Sequence, residues 1–553
     1  MRTKRTREGL TVNAIAGTHV VLLGLDLAPE RRAGCLGFAI AREDHTEGER
    51  YWLKGMKTFA ETDPGLGPGG QTSSRSHPFQ TFQWADYSAK PSHRYTYTVV
   101  PLGGTPARLE EGPPVSVTVS TESEGGSTHS AYFNRGAVAS QEYARRFQNR
   151  SPSEVGDAAY RWLSRGLLEA FERFVARAAG SDHGLYGAIY EFQWPEALAA
   201  IKAAADRGAH VDVVYDAIPG GTGPHQKNAQ AVAVAHLDGC CRGRTTGKIM
   251  HNKFLVLTKD GAPIAVWTGS TNLTENGLFG HSNCGHVIEN TAVAATFLDF
   301  WQELAANPLP AAERTWMAQN NPAPPDPWNA PVTPIFSPRS GLKVLQWYAD
   351  IAAGARTALF GTFAFGMHQV FKDVYDRRDG VLRFALMEME GNGAGLAQGR
   401  LDIRRIRAHP NVVVAVGTNI TLNSFDRWLK ERDRVNPRVN VRFVHTKYML
   451  VDPLGRQPVV ITGSANFSAA STNANNENMV VIRGDTRIAD IYLGEFMRLF
   501  SHYSFREAVA RDRAQGNADS WQPNHLIPDD SWQRSYFAPG GQRFLRRRYF
   551  AGR

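Results

Sequence analysis

Two stretches decide the reading of this chain: HNKFLVLTKDGAPIAVWTGSTN, residues 251–272, and HTKYMLVDPLGRQPVVITGSAN, residues 445–466. They stand 194 residues apart, and the offset holds from His251/His445 through Lys253/Lys447, Gly261/Gly455 and Thr268/Thr462 to Asn272/Asn466. Carried on to Ile288 and Ile482, ten of thirty-eight positions are identical, where shared average composition gives about two or three. The chain contains an internal duplication.

After each His-x-Lys the run is apolar, FLVL and YMLV. A strand is expected there, and it places His and Lys, two apart, on one face. The turn and the next strand bring back a Gly-Ser-x-Asn corner: Ser270 and Asn272 in the first copy, Ser464 and Asn466 in the second. Each copy thus offers an imidazole, an ammonium, a hydroxyl and an amide. Two copies facing one pocket suit a phosphodiester. Lysines and amides hold the non-bridging oxygens as charge builds, one imidazole attacks, and the other protonates the leaving oxygen. That chemistry needs neither metal nor cofactor.

Outward from these segments, strands alternate with amphipathic helices, the pattern of α/β units. GLYGAIYEF leads into PEALAAIKAAADRG, with Pro195 suited to a first helical turn and Gly208 to a C-terminal cap, and then into AHVDVVYDA. A second unit runs from TALFGTFAF, beginning near Thr357, to VLRFALME. Nine prolines between Pro308 and Pro338 read as an extended connection between two related lobes. Residues up to about 122 differ: short alternating runs such as RYTYTVV put Tyr95, Tyr97 and Val99 on one face and Thr96 and Thr98 on the other. These runs, with turns between them, predict a β-sandwich. The expected division is 1–122 sandwich, 123–130 (SEGGSTHS) flexible linker, 131–305 first lobe, 306–338 connection, 339–505 second lobe, and 506–553 a tail packed on the body.

Composition narrows the class. At 553 residues with 42% hydrophobic and 21% charged residues, the chain is globular and multidomain. Sixty-two Lys and Arg against fifty-three Asp and Glu leave +9, a balance that favours phosphate-bearing partners. Cys35, Cys240, Cys241 and Cys284 fit neither a disulfide framework nor a zinc site. The first apolar run, VVLLGLDL, contains an Asp and is too short to span a bilayer, so no export signal or stable membrane insertion is expected and the cytoplasm is the expected compartment. With both half-sites in one chain, a monomer is sufficient.

The twice-repeated HxK(x)4D and GSxN pattern resembles the HKD signature of the phospholipase D superfamily, over roughly residues 131–505. The N-terminal runs resemble a fibronectin type III or immunoglobulin-like module. The resemblance implies two duplicated α/β lobes related by a pseudo-two-fold axis in an α/β/α sandwich. It also implies a metal-independent phosphodiesterase working through a phosphohistidine, with hydrolysis or transfer as outcomes. His251, Lys253, His445 and Lys447 are then catalytic, and Ser270, Asn272, Ser464 and Asn466 bind the substrate phosphate. The second copy is complete, with Asp452 as an orienting group; the first has Thr258 at that place. The family carries a polar residue downstream that supports each imidazole, which register gives as Glu477 in the second copy and Asn283 in the first. If each supports the histidine of its own copy, a carboxylate behind His445 favours its protonated form and suits an acid, while an amide leaves His251 neutral and suits a nucleophile.

Three further readings follow. Thr258 and Asn283 allow a catalytically weakened phosphate-binding or adaptor protein. His281 and His286, near Cys284, raise a metal-dependent hydrolase, against which packing is the better account of both histidines, and Cys284 reads as a small filler. For substrate, phospholipid head groups and nucleic acid stay open. Arg242, Arg244 and Lys248, with Arg432, Arg434 and Arg438, are the candidate nucleic-acid contacts, whereas Trp267 and Phe279 are the candidate apolar rim, Trp267 reading better as core.

Overall fold

A computed structural model describes residues 1–66, 70–136, 140–220, 223–391, 393–419, 443–514 and 525–553. Arg432, Arg434 and Arg438 lie outside the described residues.

Two seven-stranded mixed sheets form the body. The first holds β1 (His129–Phe133), β2 (His183–Ile189), β3 (His210–Asp216), β4 (Cys241–Arg244), β5 (Lys253–Lys259), β6 (Ala262–Gly269) and β7 (Cys284–Ile288), in the order β1-β7-β6-β5-β2-β3-β4. The second holds β8 (Val332–Ser337), β9 (Ala358–Phe363), β10 (Leu382–Met387), β11 (Val412–Val416), β12 (Tyr448–Val451), β13 (Val459–Gly463) and β14 (Glu477–Arg483), in the order β8-β14-β13-β12-β9-β10-β11. The two orders are the same. So is the register: Leu255 faces Trp267 and Met449 faces Ile461, Thr268 faces His286 and Thr462 faces Val480, each pair displaced by the same 194 residues as the sequence repeat.

Strand residues of the second sheet are buried on both faces, as their near-continuous apolar runs require. Phe360, Phe384, Leu450 and Val460 enter a core shared with the first sheet, whereas Leu359, Ala385, Met449 and Ile461 enter a separate core beneath the helix Lys343–Ala353. The helix Thr486–Ala514 runs through the shared core with Ile488, Tyr492, Phe496 and Tyr503 all buried. Apolar residues spread around the whole helix, as expected for one enclosed between layers. Among the described residues no helix is long and apolar enough to cross a membrane.

Two antiparallel sheets form the N-terminal region, one of Arg2–Arg7, Leu10–Ala16, Val21–Leu27 and Gln83–Asp86, the other built around Gly37–Asp44 and Arg94–Thr105. They share a core that includes Val12, Leu23, Ile40, Tyr97 and Val117. Tyr95, Tyr97 and Val99 are fully buried while Thr96 and Thr98 sit half-buried, the alternation expected from their sequence.

Two expectations need correction. The Pro-rich span is not simply extended: it forms a helix, Pro310–Asn320, and the edge strand β8. Pro310 opens that helix, where its missing N–H costs nothing. The helix is tied down by Glu313, which pairs with Arg244 at 3.0 Å in a fully buried contact. The 123–130 segment is held as well, since Arg487 donates to the carbonyls of Ser123, Gly125 and His129, the last already in β1. The basic cluster in the tail is used for packing: Arg547 pairs with Asp26 and stacks over Phe537, and Arg546 bonds Gln83.

Candidate active site

β5 and β12 do what their pattern predicts. Lys253 and Lys447 stand at or beside the strand starts, two residues after His251 and His445. Each ammonium donates to the carbonyl of its own histidine, Lys253 at 2.8 Å and Lys447 at 2.6 Å. Both lysines are buried, and both histidines keep a sliver of exposure, 8% for His251 and 6% for His445. The glycines of the two corners carry φ of +139° and +154°, and a side chain at either would collide with the carbonyl of Cys284 or Asn478. Only glycine lets the strand close up here.

The supports of the two imidazoles are exchanged between the lobes. His251 Nδ1 bonds Glu477 Oε2 at 2.7 Å, and His445 Nδ1 bonds Asn283 Oδ1 at 2.8 Å. Same-copy pairing is therefore overturned. The reason is backbone: the residue before each histidine bridges to the segment before the opposite support, Met250 with Asn476 and Val444 with Ser282. His251 N–H donates to Asn476 O at 2.8 Å and Ser282 N–H to Phe443 O at 2.8 Å. The support, one residue along, is thereby brought to the histidine across the interface.

The corner serines hold those supports. Ser270 Oγ donates to Asn283 Oδ1 at 2.9 Å and Ser464 Oγ to Glu477 Oε2 at 2.7 Å. Each is fully buried, so their hydroxyls are engaged with the support residues in this structure. Asn272 donates to Glu191, and the Oδ1 atoms of Asn272 and Asn466 are buried without a partner. An orphaned amide oxygen only accepts, so a phosphate oxygen at either corner is met by an Nδ2–H and not by these oxygens. Asp452 lies at the far end of β12 from Lys447, accepting the N–H groups of Arg356, Thr357 and Ala358 and the Thr357 hydroxyl at 2.7–3.0 Å. It fastens the approach to β9. In the first lobe Thr258 is buried at the equivalent point and packs over Gly184, and Asp260 N–H meets the Asp182 carbonyl.

Several residues at the site gave no sequence signal. Asp216, at the end of β3, accepts the N–H of Met250 at 2.8 Å; Glu388, after β10, accepts that of Val444 at 2.9 Å. These two buried carboxylates are register equivalents, each fixing the turn that presents a histidine. They are far from the motifs in sequence and differ in type, so no repeat comparison pairs them. The Tyr190 ring lies 4.8 Å from that of His251 and 5.0 Å from the Lys253 ammonium. Glu191 has no counterpart in the second lobe, where Phe365 stands at the matching distance after β9. His281, read from sequence as packing, has its ring 5.7 Å from that of His445. His286 and Cys284 are fully buried, His286 between His129 and Tyr492 and Cys284 beside Ser270 and Thr462.

Electrostatically the two halves form one site. Burial pushes His251 down to about 4 against the pull of Glu477, with Lys253 and Lys447 pushing the same way as burial. His445 is held well below the ordinary histidine range by burial, then by Lys447, His281, Lys253 and His251. Burial brings Lys253 down to about 8, opposed by Glu477 and Glu191, and lowers Lys447 further, helped by the charge of Lys253. Four basic groups thus gather around one carboxylate in direct contact, Glu477, and the site is short of negative charge. A phosphate is the complement of such a set.

Of the basic cluster before the first motif, Arg244 is fully buried on Glu313 and the Leu304 carbonyl and does not serve as an open nucleic-acid contact, while Arg242 pairs with Asp212 at the surface and stays exposed. Trp267 and Phe279 are both buried, Trp267 against Tyr132 and Phe171, Phe279 against Tyr160 and Trp194.

Residues 176–304 and 416–500 match the family model described as cardiolipin synthase, PLD-like domain. Among solved structures it is similar to phosphatidylserine synthase of Haemophilus influenzae, at 13% identity over 65% of this chain and 93% of that one, with a TM-score of 0.41. It is similar to the phospholipase D family member Nuc of Salmonella typhimurium, at 18% identity over 31% and 94%, with a TM-score of 0.23. It spans 42% of the polyphosphate kinase of Porphyromonas gingivalis, covering 56% of its own length at 14% identity, with a TM-score of 0.37. A comparison with curated proteins gives no match.

Proposed function

We propose that this protein is a phosphodiesterase that works without a metal through a phosphohistidine on His251. The observation that carries this reading is the exchanged support, with each lobe completing the other lobe's histidine. The two sheets act as pseudo-two-fold-related lobes, and the N-terminal pair of sheets as a fibronectin III or immunoglobulin-like module beside them.

The roles rest on charge. With Nδ1–H donated to Glu477, the Nε2 lone pair of His251 is free to attack phosphorus. The ring then becomes a cationic N-phosphoryl imidazole, and Glu477 offsets that charge. His445 is held well below the ordinary histidine range in the free protein; the anionic diester beside it raises its pKa so that it enters the reaction protonated, and with the neutral Asn283 behind it, it gives that proton up readily to the leaving oxygen. The amide expected behind His251 stands behind His445 instead, and the nucleophile is backed by the carboxylate. Lys253, Lys447 and the amides of Asn272 and Asn466 hold the non-bridging oxygens. His445, now neutral, next takes a proton from water, which attacks the phosphohistidine and frees His251; an alcohol in place of water gives transfer. The substrate class is a phospholipid head group or nucleic acid.

The test is hydrolysis of bis(p-nitrophenyl) phosphate, phosphatidylcholine, and single- and double-stranded DNA, each with and without EDTA. Turnover of at least one that EDTA leaves unchanged supports the reading. Loss of all turnover on chelation points to the metal-dependent alternative, and no turnover with retained phosphate binding to the adaptor.

A further inference from the structure

The two halves of the site differ at their corners. In the first lobe Asn272 Nδ2 donates to Glu191 Oε2, whereas in the second the Asn466 amide nitrogen makes no such bond. Backbone fixes Glu191 in this place, just after β2: its carbonyl accepts the N–H of Leu273 at 3.0 Å, and Gln193 N–H donates to the Leu273 carbonyl at 2.9 Å. Glu191 is thereby laid beside Asn272, the residue before Leu273. By strand register its position after β9 is held by Phe365.

This carboxylate is used differently from its neighbours. Glu477 is bound to His251 and Asp216 to the Met250 N–H, but Glu191 forms no ion pair among the described residues. It is half-buried, and its Oε1 has no partner there and, unlike the Oδ1 atoms of Asn272 and Asn466, is not sealed from solvent. Burial raises its pKa, opposed by Lys253, by the Asn272 hydrogen bond and by the charges of Lys227 and Lys447.

An open carboxylate repels a phosphate, so on charge alone it weakens every ligand of this site. The fold does not demand it, since Phe365 fills the matching position. A hydrogen-bond donor on the ligand offsets that repulsion, because a bound ligand displaces the water that serves Oε1 and a donor restores the bond. Hydroxyl and ammonium groups both donate. An ammonium is opposed here by Lys253, Lys227 and Lys447, whose charges already reach the carboxylate; a neutral hydroxyl is not. Asn272 keeps one Nδ2–H on Glu191 and has the other for a phosphate oxygen, so the carboxylate stands next to a phosphate held at that corner.

We propose that Glu191 is a specificity-determining residue that accepts a hydrogen bond from a free hydroxyl carried by the substrate alcohol close to the scissile phosphate. Glycerol and ribose both supply such a hydroxyl. The inference rests on the phosphate site proposed above and not on its turnover.

The measurement is titration calorimetry of the full-length protein with phosphate monoesters that differ only in hydroxyl groups: sn-glycerol 3-phosphate against propyl phosphate, and uridine 3′-phosphate against its 2′-deoxy analogue. Wild-type protein prefers the hydroxylated member of at least one pair by about tenfold or more, and the pair it separates tells glycerol from ribose. Glu191→Leu abolishes that preference by weakening the hydroxylated ester alone, with its partner bound as tightly as before or more tightly. Glu191→Gln, which keeps an acceptor without the charge, retains part of the preference. The proposal is overturned if wild type separates neither pair, if Glu191→Leu weakens both members equally, or if 2-aminoethyl phosphate binds more tightly than the hydroxylated esters. Esters that bind without discrimination overturn this inference alone; if no phosphate ester binds, the phosphate site falls with it. Hydrolysis is not read, so failure of the proposed reaction leaves the result distinct.

Discussion

Glu477, in the second lobe, accepts a hydrogen bond at 2.7 Å from the imidazole of His251, in the first, while its own lobe's Ser464 donates to the same oxygen. The carboxylate is fully enclosed. Its contact with His251, then with Lys253, draws it below the usual carboxylate range in spite of burial, which alone would raise it, so it meets the neutral imidazole as an anion. The mirror contact, Asn283 to His445, is neutral. One site thus holds two histidines with different support, which is what separates a nucleophile from an acid.

Replacing Glu477 with Gln keeps hydrogen-bonding capacity and removes the charge. The expected result is a fall in kcat of about a hundredfold or more, with KM for a small diester little changed. Steady-state kinetics alongside a thermal melt separates this from misfolding, since Tm should move far less than activity.

Placing a carboxylate behind the other ring, by Asn283→Asp, alters the pH profile. Burial and Lys447 hold His445 low in the wild type. An anion in contact with Nδ1 favours the imidazolium and raises its pKa. The acid must be protonated to act, so the alkaline limb of kcat/KM should shift to higher pH by about one unit or more. A shift to lower pH would contradict the assigned role.

Inorganic phosphate should bind with proton uptake. Burial holds Lys253 at about 8, and an anion beside it raises that value. Affinity is therefore full below about pH 8 and weakens above it as the free ammonium loses its proton. Calorimetry at pH 8 in two buffers of different ionisation enthalpy measures the protons taken up; none would refute the electrostatic reading.

Asp452→Ala should act on the fold. Its carboxylate serves three backbone N–H groups and one hydroxyl at the start of β9, away from the reacting groups. Loss of those bonds costs on the order of 2 kcal/mol and lowers Tm, while kcat at low temperature stays within about threefold of wild type. The presence of Thr258 at the equivalent point of the first lobe fits a supporting role of this kind.

Much of the lobe architecture was legible because duplication leaves a register. His251 and His445, Lys253 and Lys447, and the two glycine corners recur at one offset, and the strands pair at that same offset. What a repeat cannot report is how its copies face each other. Glu477 and Asn283 could be found by register, but which ring each meets depends on the Met250–Asn476 and Val444–Ser282 bridges, contacts between copies that no comparison of the copies contains. Asp216 and Glu388 escaped notice for another reason. Each lies at or just after the end of a strand far from the motif in sequence, acts through a backbone N–H, and differs from its equivalent by a methylene. Arg244 shows the opposite failure: a cation close to a motif in sequence that the fold spends on Glu313.

The central claim is that His251 carries the phosphoryl group. Rapid acid-free quenching of the enzyme with a phosphorus-labelled diester, followed by mapping of the labelled peptide, tests it directly in wild type and in the His251→Asn and His445→Asn variants. The account predicts label on His251, absent from His251→Asn and still formed in His445→Asn with an activated leaving group. Label on His445, formed in full by His251→Asn, would contradict it.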